Sequence, residues 1–195
     1  MSELDELVRR CQAGELAAFT ALFRRYEARA YRLALTIVRD ERDAEDAVQD
    51  AFLRAFERIK RFRGDASFDT WFTTVVVNVC RDRRRRRRVR QALPIEWLHG
   101  RLRSGDDVVE TVSRRLDRQA MSALVDRLDD AHRLPVLLHY YEGLPCADVA
   151  RILGMRLTTV YTRLNTARIR LREMRQEEIG EMRGNRCSSA KVDEK

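Results

Sequence analysis

The chain has 195 residues, 44% hydrophobic and 36% charged, which suits one medium domain or, better, two small ones. Its 39 basic residues exceed its 31 acidic ones by eight, and Lys60, Lys191 and Lys195 are the only lysines, so an arginine-rich surface for a polyanion is expected. No apolar run approaches the ~18 residues of a membrane span; the spacing of Cys11, Cys80, Cys146 and Cys187 suggests neither a disulfide framework nor a zinc site, and eight glycines with three prolines argue against a turn-rich β protein.

The acidic opening Met-Ser-Glu-Leu-Asp-Glu lacks a basic-then-apolar export signal, so a cytoplasmic protein is expected. Leu4, Leu7, Val8 and Cys11 recur at helical spacing and stop at Ala13-Gly14. Phe19, Leu22, Phe23, Tyr26, Ala30, Leu33, Ala34 and Ile37 then form one wide apolar stripe on a helix ending near Asp40. Asp43 is expected to cap the next helix, with Glu45 and Asp46 in its first turn, where the backbone dipole favours acids. Its buried side is expected to carry Ala47, Val48, Ala51, Phe52, Ala55, Phe56 and Ile59.

Residues 60–67 break the periodicity at Gly64 and offer Ser67 as a fresh cap, which predicts a loop. In the next segment two signals compete. Thr73, Thr74, Val75, Val76 and Val77 are β-branched, yet Phe68, Trp71, Phe72, Val75, Val76 and Val79 follow a helical period, and the period predicts a helix. Residues 81–90 hold eight arginines and one aspartate, a local charge of +7 that no core can accept. Pro94, Gly100 and Ser104-Gly105-Asp106-Asp107 mark a linker, along which Ile95, Trp97 and Leu98 could dock. Helices are expected again at Leu116 to Leu128, Val136 to Tyr141, Val149 to Leu153 and Thr158 to about Met174.

The fold class predicted is therefore all-α, with two small helical domains joined by a flexible linker. The first spans 1–91, the linker 92–112 and the second 113–176; a polar, disordered tail is expected over 177–195 because apolar periodicity fades there.

The clearest chemical signal is a short helix around Ala147 to Leu153, a Gly154-Met155-Arg156 turn and a long helix, which together read as a helix-turn-helix. Its second helix would bury Val160, Leu164 and Ala167 and offer Thr158, Thr159, Tyr161, Thr162, Arg163, Asn165 and Thr166 to a major groove. Arg168, Arg170, Arg172 and Arg175 would meet phosphates; residues 151–175 hold seven arginines and one glutamate. Residues 41–50 carry a local charge of −4, so Asp43, Glu45, Asp46, Gln49 and Asp50 face either a basic protein partner or simply solvent at a dipole-stabilised helix start. Phe62, off any apolar stripe in a loop with Arg63, is the aromatic best placed to stack on a base.

No set of residues suggests a nucleophile, a metal site or a phosphate-cradling loop, and His99, His132 and His139 are isolated in sequence. No catalytic residue, metal, cofactor, small-molecule substrate or membrane insertion is expected.

These pieces in this order resemble the extracytoplasmic-function sigma factors of bacterial RNA polymerase, over about 10–90 and 115–175. Residues 43–53, Asp-Ala-Glu-Asp-Ala-Val-Gln-Asp-Ala-Phe-Leu, are similar to the family's polymerase-clamp segment. Phe62-Arg63-Gly64, Phe68, Thr70-Trp71, Asn78, Asp82 and Arg83-Arg84 are similar to its minus-10 segment, and Tyr141-Glu142-Gly143-Leu144 through Ala167-Arg168 to its minus-35 reader.

The resemblance implies a non-catalytic promoter-specificity subunit for which core polymerase, through its largest-subunit clamp and its flap, and promoter DNA, duplex and single-stranded, are the partners. Asp43, Asp46, Gln49 and Asp50 would bind the clamp. Phe62 and Asn78 would border a pocket for a flipped base, with Arg63 also on the minus-10 DNA, while Arg81 and the run 83–88, Arg83 and Arg84 among them, would hold the adjacent backbone. Thr158, Thr159, Tyr161, Thr162, Arg163, Asn165, Thr166 and Arg168 would read the minus-35 element. An anti-sigma factor that clamps both domains is a further implied partner. Arg156 stands where the family usually has Ser or Pro, so Thr158 is expected to take over as cap; Tyr161 and Thr166 replace usual cations. A free-standing helix-turn-helix repressor is the rival class, and its mark would be a self-complementary apolar face outside the recognition unit.

Overall fold

The computed structural model describes residues 2–91 and 121–189, with side chains over 2–87 and 121–177. The expected linker at 92–112, His99, Leu116, Ala120 and the Cys187 side chain lie outside the described residues. Every regular element described is helical, and the chain divides into two units, Met1–Gly105 and Asp106–Lys195.

In the first unit, α1 (Glu3–Gln12) starts at Ser2, whose hydroxyl accepts the Asp5 N–H at 3.2 Å while the Asp5 carboxylate accepts the Ser2 N–H at 2.8 Å. The long α2 (Leu16–Val38) stops where Arg39 turns left-handed at φ +62°, leaving Asp40 extended and free to cap α3 (Glu41–Arg58). The Asp40 side chain accepts the Asp43 N–H at 3.0 Å, so the cap lies three residues before the one expected, and Asp43 sits in the first turn.

Residues Ile59–Arg61 form one 3₁₀ turn, and α4 (Phe68–Gln91) begins behind Ser67, whose hydroxyl accepts the Thr70 N–H at 3.2 Å. The helical period thus prevails over the β-branched run: Thr73, Val75, Val76, Val77 and Val79 are all buried, and Thr74 donates its hydroxyl proton to the Thr70 carbonyl at 2.7 Å. Burial of this face outweighs the few tenths of a kcal/mol per residue by which β-branched side chains disfavour helix.

Helices α2, α3 and α4 pack against one another around an aromatic core. Ring centroids lie 4.5 Å apart for Phe23 and Phe52, 4.9 Å for Phe52 and Phe72, and 5.4 Å from Tyr26 to both Phe68 and Phe72. Phe56, expected inside, is half exposed and rests edge-on against Phe19 at 4.8 Å. The small residues Ala44, Ala47, Ala51 and Ala55 let α3 approach closely, and Phe56 falls at the margin of that alanine stripe.

In the second unit, helical residues 121–127 (α5) lead to Asp129, which caps α6 (Asp130–Val136) by accepting the His132 N–H at 3.1 Å. Pro135 lies inside α6, and the helix widens into a π turn over Leu137–Tyr141. Arg133 is 1% exposed and donates from Nε and Nη2 to one Asp126 oxygen, at 3.3 and 3.1 Å. α7 (Cys146–Leu153) ends at Gly154 in the left-handed region (φ +63°), a conformation a Cβ would strain, and α8 runs over Leu157–Ser189.

The tail expectation fails in part, because α8 continues well past Gln176. Residues 177–189 have little apolar periodicity; their three glutamates and two arginines favour helix, against Gly180 and Gly184.

Candidate protein and nucleic-acid interfaces

Along the outer face of α3, Asp46 and Gln49 are exposed while Asp43 and Asp50 are partly covered, and what covers them is α4. Arg83 donates from Nη2 to Asp50 at 2.7 Å and from Nη1 to Asp46 at 3.1 Å. One turn on, Arg87 Nη1 reaches Asp43 at 2.9 Å and Asp40 at 3.6 Å. Arg54 and Asp82, 3.5 Å apart, continue the contact with the charges reversed. Burial alone would lower the pKa of Arg83, but its hydrogen bonds to Asp50 and Asp46 raise it, so it stays charged.

The acidic and basic segments separated in sequence by some thirty residues thus neutralise one another in space. Arg83 and Arg87, both in the arginine run expected along DNA, are engaged inside the chain. Arg81 is exposed, and Arg84 is partly covered.

Beside this zipper, α3 presents an outward row in which Asp46, Gln49, Leu53 and Phe56 follow one another at helical spacing. Leu53 is 63% and Phe56 49% exposed. Both were missed as surface candidates; the signal was their i+4 and i+7 spacing from Gln49.

Phe62 leaves the 3₁₀ turn half-buried, with its ring 5.2 Å from Trp71 and 5.8 Å from Phe68. It is the outer member of an aromatic cluster rather than a free loop residue. Gln12 holds the loop from α1, its side-chain amide donating to the carbonyls of Phe62 at 2.8 Å and Ile59 at 3.1 Å. Gln12 was not foreseen, since nothing local in its sequence marks a contact fifty residues away. Arg63 is exposed in the same loop, and Asn78 is an exposed residue on the otherwise buried middle of α4.

In the second unit, α7, the Gly154 turn and α8 form the expected helix-turn-helix. Val160, Leu164 and Ala167 are buried, and Thr158, Tyr161, Thr162, Asn165 and Arg168 are exposed, with Thr159, Arg163 and Thr166 on the flanks. The carbonyl of Arg156 accepts the N–H groups of Thr159 and Val160 at 3.0 and 3.2 Å, so the helix opens at Leu157 and Thr158 is not its cap. Instead the Thr158 carbonyl accepts the Thr162 hydroxyl at 3.0 Å. Arg168 donates to the Tyr140 hydroxyl at 2.7 Å, and Arg170 to Asp129 at 2.7 Å.

His132 and His139 are not isolated in space. His132 Nδ1 lies 2.8 Å from Asp129 Oδ1, and His139 Nδ1 donates to the Leu144 carbonyl at 2.8 Å. Burial raises the Cys80 thiol to a pKa of about 12. Among the described residues no cluster of His, Cys, Asp and Glu could hold a metal, and no helix is long and apolar enough to cross a membrane.

Two family models match the chain: Sigma-70 region 2 over residues 22–90 and Sigma-70, region 4 over residues 118–171. The ECF RNA polymerase sigma factor SigM of Mycobacterium tuberculosis (strain ATCC 25618 / H37Rv) is 35% identical over 166 residues, covering 85% of this chain and 81% of that protein. The RNA polymerase sigma-H factor of Pseudomonas aeruginosa is 30% identical over 174 residues, covering 84% and 89%. Among solved structures, CnrH in complex with the cytosolic domain of CnrY has a similar fold, with a TM-score of 0.64 and 23% identity over 88% of this chain and 96% of that one. The sigma factor RpoE in complex with the anti-sigma factor NepR, from Bartonella quintana, gives 0.63 and 21% over 81% and 96%.

Proposed function

Because the chain belongs to the extracytoplasmic-function sigma factors of the sigma-70 family, and so directs promoter-specific transcription initiation by RNA polymerase, we propose that its two units divide that work residue by residue. In the first unit, the outer row of α3, Asp46, Gln49, Leu53 and Phe56 with Asp43 and Asp50 beside it, docks on the clamp of the polymerase's largest subunit. Carboxylates set the orientation and the two apolar side chains supply buried area. Phe62, Arg63 and Asn78 take the opened minus-10 strand, with a base stacking on the outer aromatic ring for about 1–3 kcal/mol. Arg81 and Arg84 follow the adjoining backbone.

The second unit reads the minus-35 duplex with α8, through Thr158, Thr159, Tyr161, Thr162, Arg163, Asn165, Thr166 and Arg168, and contacts the flap. Neither unit contributes a catalytic group; the chemistry of RNA synthesis belongs to the polymerase. The observation that carries this reading is a single helix, α8, which buries Val160, Leu164 and Ala167 and turns Thr158, Thr162 and Asn165 outward in a segment of seven arginines and one glutamate. An anti-sigma protein is a natural competitor for these faces, as CnrY and NepR are bound to the two similar folds.

The separate roles given to the two units make this reading directly testable. The full chain is added to core polymerase with genomic DNA, and start sites are mapped. A defined promoter set is expected, and Asp46→Arg with Gln49→Ala is expected to abolish it. Unchanged initiation by that double variant would overturn the clamp assignment.

A further inference from the structure

Two large apolar side chains stand exposed where α8 begins, and the core does not explain either. Leu157, the first residue of the helix, is 40% exposed, and Tyr161, one turn on, is 57% exposed. At i and i+4 they are neighbours on one flank of the helix, next to Thr158 and Thr162, while the buried stripe of Val160, Leu164 and Ala167 runs past them.

Polar readout on this part of the helix is correspondingly thin. The Thr162 hydroxyl proton is committed to the Thr158 carbonyl at 3.0 Å, which leaves that oxygen as an acceptor, and Arg168 donates to the Tyr140 hydroxyl at 2.7 Å. Arg156 is exposed immediately before Leu157, and Arg168 is exposed two turns beyond Tyr161 on the same helix, so the surface that would approach this end of α8 is anionic. A duplex meets that description, and the residues at the start of a recognition helix are the ones that reach base edges. In the major groove the C5-methyl of thymine is the apolar group among the base edges.

We propose that Leu157 and Tyr161 are specificity residues that read thymine C5-methyl groups in the upstream promoter element. The inference rests on α8 being the promoter reader. Recognition then comes from excluding water between a methyl group and an apolar side chain, with the arginines supplying attraction that is blind to sequence.

The test uses holoenzyme assembled from the full chain and core polymerase, and promoter duplexes in which each thymine of the upstream element is replaced singly by deoxyuridine. Removing one methyl is expected to weaken binding about three- to fivefold at one or two positions, the worth of burying one such group. Leu157→Ala should lose that dependence at one position and Tyr161→Ala at a neighbouring one, whereas Tyr161→Phe should retain it. Both side chains are exposed, and thermal melts of the variants should match the parent.

Uracil that is neutral at every position, an element without thymine, or methyl dependence unchanged in both alanine variants would each overturn the inference. So would a uniform loss of initiation with no methyl dependence, which would mark the pair as a protein contact. Absence of promoter-specific initiation by the parent chain would overturn the reading of α8 and this inference with it; normal initiation with methyl-blind binding would overturn this inference alone.

Discussion

Arg83→Ala tests whether the acidic row of α3 is occupied before the polymerase arrives. In the free chain Arg83 bridges Asp46 and Asp50, at 3.1 and 2.7 Å, with its own side chain 24% exposed and the carboxylates 60% and 42% exposed. Pairs this open to water contribute roughly 0.2–1 kcal/mol each, so the bridge is worth about 0.4–2 kcal/mol. A basic partner that takes those carboxylates must displace Arg83 and forgo that energy. Removing the guanidinium should therefore tighten binding to core polymerase about 2- to 30-fold, measured by fluorescence anisotropy of labelled chain at fixed ionic strength.

The same change should lower the melting temperature of the first unit, by about 4–8 °C for each kcal/mol lost. Raising salt should shrink the difference between parent and variant, since screening weakens the exposed pairs themselves. Weaker polymerase binding with the fold intact would refute the argument, because Arg83 would then be shaping the docking surface instead of occupying it.

Gln12→Ala removes two hydrogen bonds to the Ile59 and Phe62 carbonyls, at 3.1 and 2.8 Å, and should cost about 1–3 kcal/mol. Hydrogen exchange confined to residues 59–67 should quicken; protection unchanged there would show that the loop does not depend on α1. Burial works against the ionised form of Asp129, but hydrogen bonds from His132 and Arg170 prevail and hold its pKa down to about 2. With an unfolded value of about 3.9, its contribution to the second unit is complete above that pH and is lost as pH falls toward about 2. Asp129→Asn should flatten the stability curve in that window, read by urea melts at stepped pH; an unchanged slope would count against it. Native alkylation at pH 8 followed by peptide mass spectrometry should label Cys146 and spare Cys80, which is fully buried with its thiol pKa near 12. Early modification of Cys80 would mean that α4 opens locally.

Most of the helices were legible in the sequence, and so was the helix-turn-helix. The period at Phe68 to Val79 identified α4 despite five β-branched residues in a row, and Gly154 marked the turn before α8. Caps were less legible. Asp40 and Asp43 are equally good capping residues by type, and only the left-handed exit at Arg39 decided between them. The end of α8 was missed because apolar periodicity, the signal used to find helices, fades after Gln176 while the helix runs on to Ser189.

What tertiary structure alone decided is who meets whom. Sequence located an acidic segment and an arginine run and assigned them to different partners; folding brought Asp43 to Arg87 and Asp50 to Arg83. It also left Leu53, Phe56 and Leu157 facing outward and tied Gln12 to a loop beyond two helices. Helices are written locally, because each backbone bond spans four residues and each stripe repeats within a turn or two. Pairings across 33 or 44 residues depend on where packed helices touch and in what register, which the aromatic and alanine core of α2, α3 and α4 sets.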